Sequence, residues 1–186
     1  LIVNKIEKYN KPFIYVNLTG GQDQLVFDGM SMVADENGDW VHVCPQFNES
    51  ISEIILPASS DTSTSVKLPD ISKEEQVFKG LVLGVHDYFA KTGHTQAVLG
   101  LSGGIDSAVT AAIAVEALGT ENVLGIAMPS KYSSDHSVTD AEVLAANLGM
   151  KYLNVPIGTI FDGFQSTYSQ ILGAPISGLP EENLQA

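Results

Sequence analysis

The chain has 186 residues, 44% of them hydrophobic, which suits one ordinary globular domain or two small ones. Its net charge is −13 and all nine basic residues are lysines, whereas an extended nucleic-acid surface needs clustered lysine and arginine. No apolar run approaches the roughly 20 residues of a membrane span. We therefore expect neither a nucleic acid nor a membrane as a partner.

The N-terminal third is predicted to be rich in β-strand. Its first nine residues have apolar side chains at near-helical spacing and predict the end of a helix. Strand-like runs follow at 13–18, 24–27, 31–34 and 40–43. The last two runs flank a polar turn and predict a hairpin, while Gly20 and Gly21 favour a loop that holds Gln22 and Asp23.

Cys44 follows the last of these strands and is the single cysteine of the chain. It excludes an internal disulfide framework and is typical of a reducing compartment, so we expect a cytoplasmic location. The alternating pattern around it favours a structural thiol over a nucleophile.

A linker is predicted at residues 57–72, which are rich in serine, threonine and proline. It separates two predicted domains, at 1–56 and 73–186. A helix is expected to begin near Ser72, with Glu74 and Glu75 in its first turn and an apolar face behind them.

From Gln96 onward the predicted strands and helices alternate. The strands are expected at 97–101, 122–128 and 151–155, and the helices at 108–118, 137–148 and 157–172. Short connections between them imply right-handed βαβ units and a parallel sheet, hence an α/β fold. Ligands bind at the carboxyl ends of such strands, where residues 102–107 and 128–134 are expected to converge.

Residues 102–107, with the sequence SGGIDS, form the hexapeptide that links the first of these strands to its helix. A glycine turn at a helix start presents unpaired N–H groups, which bind phosphate or pyrophosphate. Ser102 and Ser107 can add hydroxyl donors. The Asp106 carboxylate would repel a phosphate unless a cation lay between them, so we interpret Asp106 as a Mg²⁺ ligand. The alternative is that Asp106 merely caps the helix.

The hexapeptide lacks the lysine of a GxxxxGK[ST] loop and instead resembles the SGGxDS signature of PP-loop ATP pyrophosphatases. Three other segments are similar to glutamine-dependent NAD⁺ synthetases. They are NLTGGQDQLVFDG at 17–29, MPSKYSSDHS with DAE at 128–142, and ENLQA at 182–186. These motifs occur in the family's order and cover essentially the whole chain, which is therefore identified as an internal fragment from that family.

The resemblance implies two incomplete domains. Residues 1–56 would be the β-rich end of a nitrilase-like α/β sandwich, the glutaminase. Residues 73–186 would begin a Rossmann-like PP-loop synthetase domain of the adenine nucleotide alpha-hydrolase type. In the family, all three residues of the glutaminase's Glu-Lys-Cys triad lie upstream of the GGQD motif, which is at 20–23 in this chain. Cys44 lies downstream of that motif and therefore receives no triad role. No catalytic residue is expected beyond the ATP and Mg²⁺ site, and the isolated fragment is expected to be inactive.

The implied reaction, that of a carbon–nitrogen ligase, is the ATP-dependent amidation of deamido-NAD⁺ through an adenylated intermediate, with ammonia from glutamine. Phosphates would lie on N–H groups of the hexapeptide, Mg²⁺ on Asp106, and adenine beside Ala127 and Met128. Asn183 and Gln185 could contact the dinucleotide. The residues expected at the ATP site are Leu101, Ser102, Gly103, Gly104, Asp106, Ser107, Met128, Ser130 and Ser133.

Several alternatives stay open. Ser130 and Ser133 could instead cap the following segment, and Lys131 could meet a phosphate or simply be solvated. Gln22 and Asp23 could border the glutaminase site or the ammonia route, or could be held for packing. The chain could also derive from another PP-loop amidotransferase, such as a GMP synthetase, or be a non-catalytic nucleotide-binding fragment. The family resemblance further implies a homo-oligomer.

Overall fold

The computed structural model describes residues 2–55, 66–130 and 133–173, and the chain forms two compact units, Leu1–His94 and Thr95–Ala186. The elements of the N-terminal unit are α1 (Ile2–Tyr9), β1 (Phe13–Tyr15), β2 (Thr19–Gln22), β3 (Leu25–Asp28), β4 (Met32–Ala34), β5 (Trp40–Val43) and α2 (Lys73–Thr92). Those of the C-terminal unit are β6 (Ala97–Gly100), α3 (Ile105–Leu118), a 3-10 turn (Thr120–Asn122), β7 (Val123–Ala127), α4 (Asp135–Leu148), β8 (Lys151–Asn154) and α5 (Gly158–Leu172). None of the helices in the described part is both long and apolar enough to cross a bilayer.

The predicted hairpin of the N-terminal unit is confirmed. Strands β1, β4 and β5 form an antiparallel sheet in which β4 lies between the other two. The connecting turn is organised by Asp35, which is only 1% exposed. Its carboxyl group accepts the N–H groups of Asn37 and Asp39, each at 2.9 Å, so the buried side chain has hydrogen-bond partners in the turn.

The glycine pair was expected in a loop, and that expectation was wrong. Gly20 and Gly21 lie in β2, which pairs antiparallel with β3. Helix α2 packs on this hairpin so closely that a Cβ on Gly21 would lie 3.2 Å from the Cα of Gly84. Glycine is normally disfavoured in strands, but here a helix backbone occupies the place of its side chain.

Two side chains of α2 bind both polar groups of the Gly21 backbone. The Asp87 carboxylate accepts the Gly21 N–H at 2.7 Å, and the Lys91 ammonium donates to the Gly21 carbonyl. Burial by itself would raise the pKa of Asp87. The Gly21 N–H, His86 and Lys91 outweigh it, and the pKa of Asp87 is lowered from its usual 3.8.

Helix α2 has the predicted start. The Ser72 hydroxyl accepts the Glu75 N–H at 3.1 Å, and Gly93 ends the helix in the left-handed conformation. Its contacts with β2 and β3 place α2 in the N-terminal unit. The linker at 57–72 stays a prediction, and its residues 57–65 lie outside the described part of the chain.

The C-terminal unit confirms the predicted parallel sheet, with strands in the order β6, β7, β8. Helices α3 and α4 pack on the sheet and on each other. Small side chains on these helices allow the close approach, and the core cluster consists of Leu101, Ala111, Ala114, Val123, Ala141, Ala145 and Met150. This core leaves the carboxyl ends of β6 and β7 at one edge of the unit.

Two helices begin earlier than expected. Helix α3 begins at Ile105 rather than at 108, because its N-cap is Gly104. Helix α4 begins at Asp135 rather than at 137, because its N-cap is Ser134. Apolar periodicity detects the packed part of a helix, but the first turn carries polar residues whose role depends on the cap.

We predict that Asp87→Asn lowers the free energy of unfolding of the N-terminal unit and weakens its pH dependence. A hydrogen bond to a charged group contributes about 1.5–3 kcal/mol, and the amide keeps only part of it. Because the folded pKa is lowered, the stabilisation is present above the unfolded value of 3.8 and is lost as pH falls through the folded pKa. Urea unfolding monitored by the single tryptophan, Trp40, between pH 7 and 3 tests this.

The matched control is Asp70→Asn, the same change at an exposed position. It should leave both the urea midpoint at pH 7 and its pH dependence close to those of the unaltered chain. Equal pH profiles for Asp87→Asn and the unaltered chain would show that the lowered pKa of Asp87 contributes nothing to stability.

Candidate functional site

A cavity of about 470 Å³ lies at the carboxyl ends of β6 and β7. Its lining comes from these strand ends, from the start of the hexapeptide and from the region around the start of α4. The lining residues are Gly100, Leu101, Ser102, Ile126, Ala127, Met128, Pro129, Ser133, Ser134, Ser137 and Val138. The two segments predicted to converge, 102–107 and 128–134, therefore both contribute to one cavity.

The hexapeptide contains the start of α3, which sets the position of Asp106. Gly104 is the N-cap, with extended backbone and no side-chain cap bond, so the interpretation of Asp106 as the cap is wrong. Asp106 lies instead in the exposed first turn of the helix. The first N–H groups of α3 have no intrahelical acceptor and form the positive end of its dipole. This arrangement suits an anion.

The two serines of the hexapeptide bond to each other and to Gly104. Their Oγ atoms lie 3.1 Å apart, and Ser107 Oγ donates to the Gly104 carbonyl at 3.0 Å. Ser102 Oγ accepts the Gly104 N–H at 3.2 Å. The hydroxyls therefore hold the turn together, and a phosphate contact to the Gly104 N–H requires that this last bond be exchanged.

Gly103 joins the hexapeptide to α4. Its φ is +75°, a left-handed conformation that favours glycine. A Cβ at this position would lie 2.3 Å from the carbonyl oxygen of Ser137 and 2.7 Å from its Cα. Both the conformation and the contact exclude a side chain, which explains why the residue at position 103 is a glycine. The sequence alone does not reveal this contact.

The proposed adenine side of the cavity has fewer free backbone groups than expected. The Ala127 carbonyl accepts the Val155 N–H at 2.8 Å, and the Pro129 carbonyl accepts the Ile157 N–H at 3.0 Å. The Ala127 carbonyl is thus engaged in extending the sheet towards β8. Met128 lies between them, 54% exposed, with its Cε 3.8 Å from the place of a Cβ on Gly100. Its side chain supplies an apolar wall.

Ser130 and Ser133 form a turn and do not cap α4. The Ser133 hydroxyl accepts the Ser130 N–H at 3.0 Å, and the Ser133 N–H donates to the Ser130 carbonyl at 3.1 Å. Ser133 lines the cavity, whereas Ser130 is not among the lining residues. The cap is Ser134, which sequence reasoning missed. Its signal is a serine three residues before Ser137, at the spacing of an N-cap and N3 pair.

The remaining predicted ligands fall into two groups. Lys131, Asn183 and Gln185 lie outside the described residues. Gln22 and Asp23 are exposed at the β2–β3 turn of the N-terminal unit, next to the glycines whose packing α2 explains.

The donor set at the hexapeptide fits Mg²⁺ bound together with a phosphate. Mg²⁺ in such sites takes one or two carboxylates and completes its shell with substrate phosphates and water. Asp106 can supply one carboxylate beside the helix N-terminus. The described residues contain no cluster of three or more His, Cys, Asp or Glu side chains that could hold a metal ion.

A parallel sheet with a phosphate-type loop at its carboxyl edge defines an α/β nucleotide-binding protein of the PP-loop class. A model of the NAD synthase family matches residues 77–186, and the chain belongs to that family. It is 49% identical to the glutamine-dependent NAD(+) synthetase of Synechocystis sp., over 100% of this chain and 34% of that protein. The glutamine-dependent NAD(+) synthetase of Thermotoga maritima is 35% identical, over 98% of this chain and 37% of that protein.

A solved structure extends the match to the fold. The glutamine-dependent NAD+ synthetase of Acinetobacter baumannii, in complex with adenosine diphosphate, matches with a TM-score of 0.87 and 37% identity. The match covers 99% of this chain and 35% of that one. The chain thus spans about a third of the length of the curated relatives it matches. Similarity over both units agrees with the two-part fold implied by the sequence motifs.

We predict that Gly103→Ala destabilises the C-terminal unit and displaces the hexapeptide from α4. The left-handed conformation costs a residue with a Cβ about 1–2 kcal/mol. The overlap with the Ser137 carbonyl adds to this cost, since backbone atoms cannot move aside as a flexible side chain can. Thermal unfolding monitored by circular dichroism measures the loss, and amide hydrogen exchange at 103–107 measures the displacement.

Gly104→Ala is the adjacent control. Gly104 has φ −88°, and a Cβ there would meet only the Ser102 Oγ, at 3.3 Å. Because Gly104 is the N-cap of α3 and alanine is a poorer N-cap than glycine, this variant should lose some stability, but less than Gly103→Ala. Equal stability of Gly103→Ala and Gly104→Ala would contradict the packing role of Gly103.

Proposed function

We propose that this chain takes part in the ATP-dependent amidation of deamido-NAD⁺ to NAD⁺, with glutamine as the source of ammonia. The observation that carries the proposal is the hexapeptide at the carboxyl edge of the parallel sheet, in a chain of the NAD synthase family. The ADP in the structure of the Acinetobacter baumannii relative supports an adenine nucleotide as a ligand of this chain.

In the proposed mechanism, the hexapeptide holds the phosphates of ATP. The N–H groups of Gly103, Gly104, Asp106 and Ser107 lie at the positive end of the α3 dipole and stabilise the charge of the departing pyrophosphate. Ser102 and Ser107 exchange their mutual hydroxyl contact for bonds to phosphate oxygens. Asp106 would hold Mg²⁺, which would supply positive charge beside the phosphates.

The chemistry itself occurs at the α-phosphorus. A nicotinate carboxylate oxygen of deamido-NAD⁺ attacks this atom, the bond to pyrophosphate breaks, and a mixed anhydride with AMP forms. Ammonia then attacks the carbonyl carbon, loses a proton and displaces AMP, which gives the amide. The described residues contribute by binding and orienting ATP, and no catalytic side chain is assigned beyond Asp106 and the hexapeptide.

The nucleoside is proposed to occupy the cavity. Its volume of about 470 Å³ lies in the range typical of small-molecule sites. Leu101 and Met128 both line it, but Leu101 is 3% exposed and belongs to the core cluster. The exposed thioether of Met128 can pack against a purine ring. Ser133 is retained as a ligand candidate because it lines the cavity, and Ser130 supports the turn that places it. Asn183 and Gln185 stay proposals for the dinucleotide.

Further parts of the proposal concern the whole protein. We propose that the boundary between a glutaminase part and a synthetase part lies at 57–72, ahead of the residues 77–186 that match the family model, although α2 packs on β2 and β3. We also propose a homo-oligomer, and a reducing, cytoplasmic compartment as the single cysteine suggests. A GMP synthetase is not favoured, because the curated relatives at 49% and 35% identity are glutamine-dependent NAD(+) synthetases.

Asp106→Asn tests the metal role. In the intact protein, the variant should slow deamido-NAD⁺-dependent exchange of pyrophosphate into ATP by about two to three orders of magnitude, as the loss of one well-placed charge-stabilising group does in other enzymes. The fold should persist, because Asp106 is exposed and is not the N-cap of α3. Asp162→Asn, at an exposed position of α5, is the matched control and should exchange at the unaltered rate.

Two results would contradict the proposal. An unchanged exchange rate in Asp106→Asn would remove this residue from the mechanism. Exchange that depends on xanthosine monophosphate and not on deamido-NAD⁺ would replace the proposed substrate.

A further inference from the structure

We propose that Ser134 is a positioning residue for the hexapeptide: by capping α4 it fixes the helix turn on which Gly103 rests, and so orients the N–H groups that hold phosphate. The inference rests on the proposed function, since it assumes that ATP binds at the hexapeptide. Ser134 acts through the first turn of α4 and forms no bond of the reaction.

Ser134 makes three hydrogen-bond contacts with Ser137, two through its hydroxyl and one through its carbonyl. The Ser134 hydroxyl accepts the Ser137 N–H at 3.2 Å, and the two serine hydroxyls lie 2.8 Å apart. The Ser134 carbonyl also accepts the Ser137 N–H, at 3.1 Å. Ser137 is therefore held by the cap through both its backbone N–H and its side chain.

The same residue supports the hexapeptide from the other side. Gly103 has a hydrogen where other residues carry a Cβ, and that hydrogen points at the Ser137 carbonyl oxygen, which a Cβ would approach to 2.3 Å. Such a contact tolerates little movement of Ser137. If the turn moves towards the hexapeptide it collides with Gly103, and if it moves away the van der Waals contact between Ser137 and Gly103 is lost.

The cap is a local restraint at the start of α4. The helix is anchored on the sheet by Ala141 and Ala145, each 1% exposed, which lie one and two turns further along. Residues 136–140, which precede Ala141, are exposed or half-buried. The fully buried contacts therefore hold the body of α4, and the Ser134 cap adds a restraint at its first turn.

A direct contact between Ser134 and the nucleotide is the competing explanation, because Ser134 lines the cavity. A glycine substitution at position 134 distinguishes the capping role from a direct contact. As an N-cap, glycine is only a few tenths of a kcal/mol worse than serine, whereas alanine is clearly worse. Ser134→Gly removes the hydroxyl yet keeps most of the capping, while Ser134→Ala removes both. Ser134→Asn restores an accepting side chain at the cap.

The experiment measures the KM for ATP and kcat of deamido-NAD⁺-dependent pyrophosphate exchange in the intact protein. We expect Ser134→Ala to raise KM about fivefold, the factor that corresponds to the usual contribution of an N-cap. Ser134→Gly and Ser134→Asn should stay within about twofold of the unaltered protein. Ser72→Ala removes an equivalent cap from α2 and is the matched control, with an unchanged KM expected.

Hydrogen exchange without nucleotide provides an independent readout. Ser134→Ala should speed the exchange of amides at 103–107, whereas Ser72→Ala should not. An equal KM increase in Ser134→Gly and Ser134→Ala would show a direct contact and overturn the inference. So would unaltered exchange at 103–107 in Ser134→Ala. If the unaltered protein fails to use ATP, the proposed function fails, while the exchange comparison still tests whether the cap orders the hexapeptide.

Discussion

Close approach between backbones is the constraint on which both units depend. In the C-terminal unit, Gly103 meets the Ser137 carbonyl so closely that no side chain fits between the hexapeptide and α4. In the N-terminal unit, Gly21 and Gly84 bring β2 against α2 in the same way. Glycine is required at such points because removal of the Cβ permits a contact that dispersion forces and fixed polar partners then stabilise.

The two contacts differ in how their polar groups are satisfied. Gly21 receives a carboxylate and an ammonium, from Asp87 and Lys91, so its buried N–H and carbonyl are paired by charged side chains. The hexapeptide instead uses neutral hydroxyls, from Ser102 and Ser107. Hydroxyl bonds at an exposed turn are weak enough to be exchanged for phosphate oxygens. The charged side chains of Asp87 and Lys91 therefore suit a permanent contact, and the hydroxyl network of the hexapeptide suits a ligand site.

Periodicity predicted most of the architecture. The parallel sheet follows from three short apolar runs separated by helical patterns, and the start of α2 follows from Ser72 and its acidic first turn. The errors lie where a local preference was overruled. Gly20 and Gly21 suggested a loop because glycine weakens strands, yet pairing with β3 and packing on α2 make them strand residues. The alternative that Ser130 or Ser133 caps the following segment was also wrong, because the hydrogen bonds assign the cap of α4 to Ser134.

By itself the sequence determined the α/β class of this protein, and the SGGIDS hexapeptide between an apolar strand and a helix predicts an anion site from local chemistry alone. The sequence also identified the family, because the four motifs and their order along the chain can be read without a structure. Only the tertiary structure decided which residues share the cavity, and that Gly103 rests on Ser137. Gly103 and Ser137 are more than 30 positions apart, so their distance follows from how α3 and α4 pack on the sheet, which no local pattern encodes.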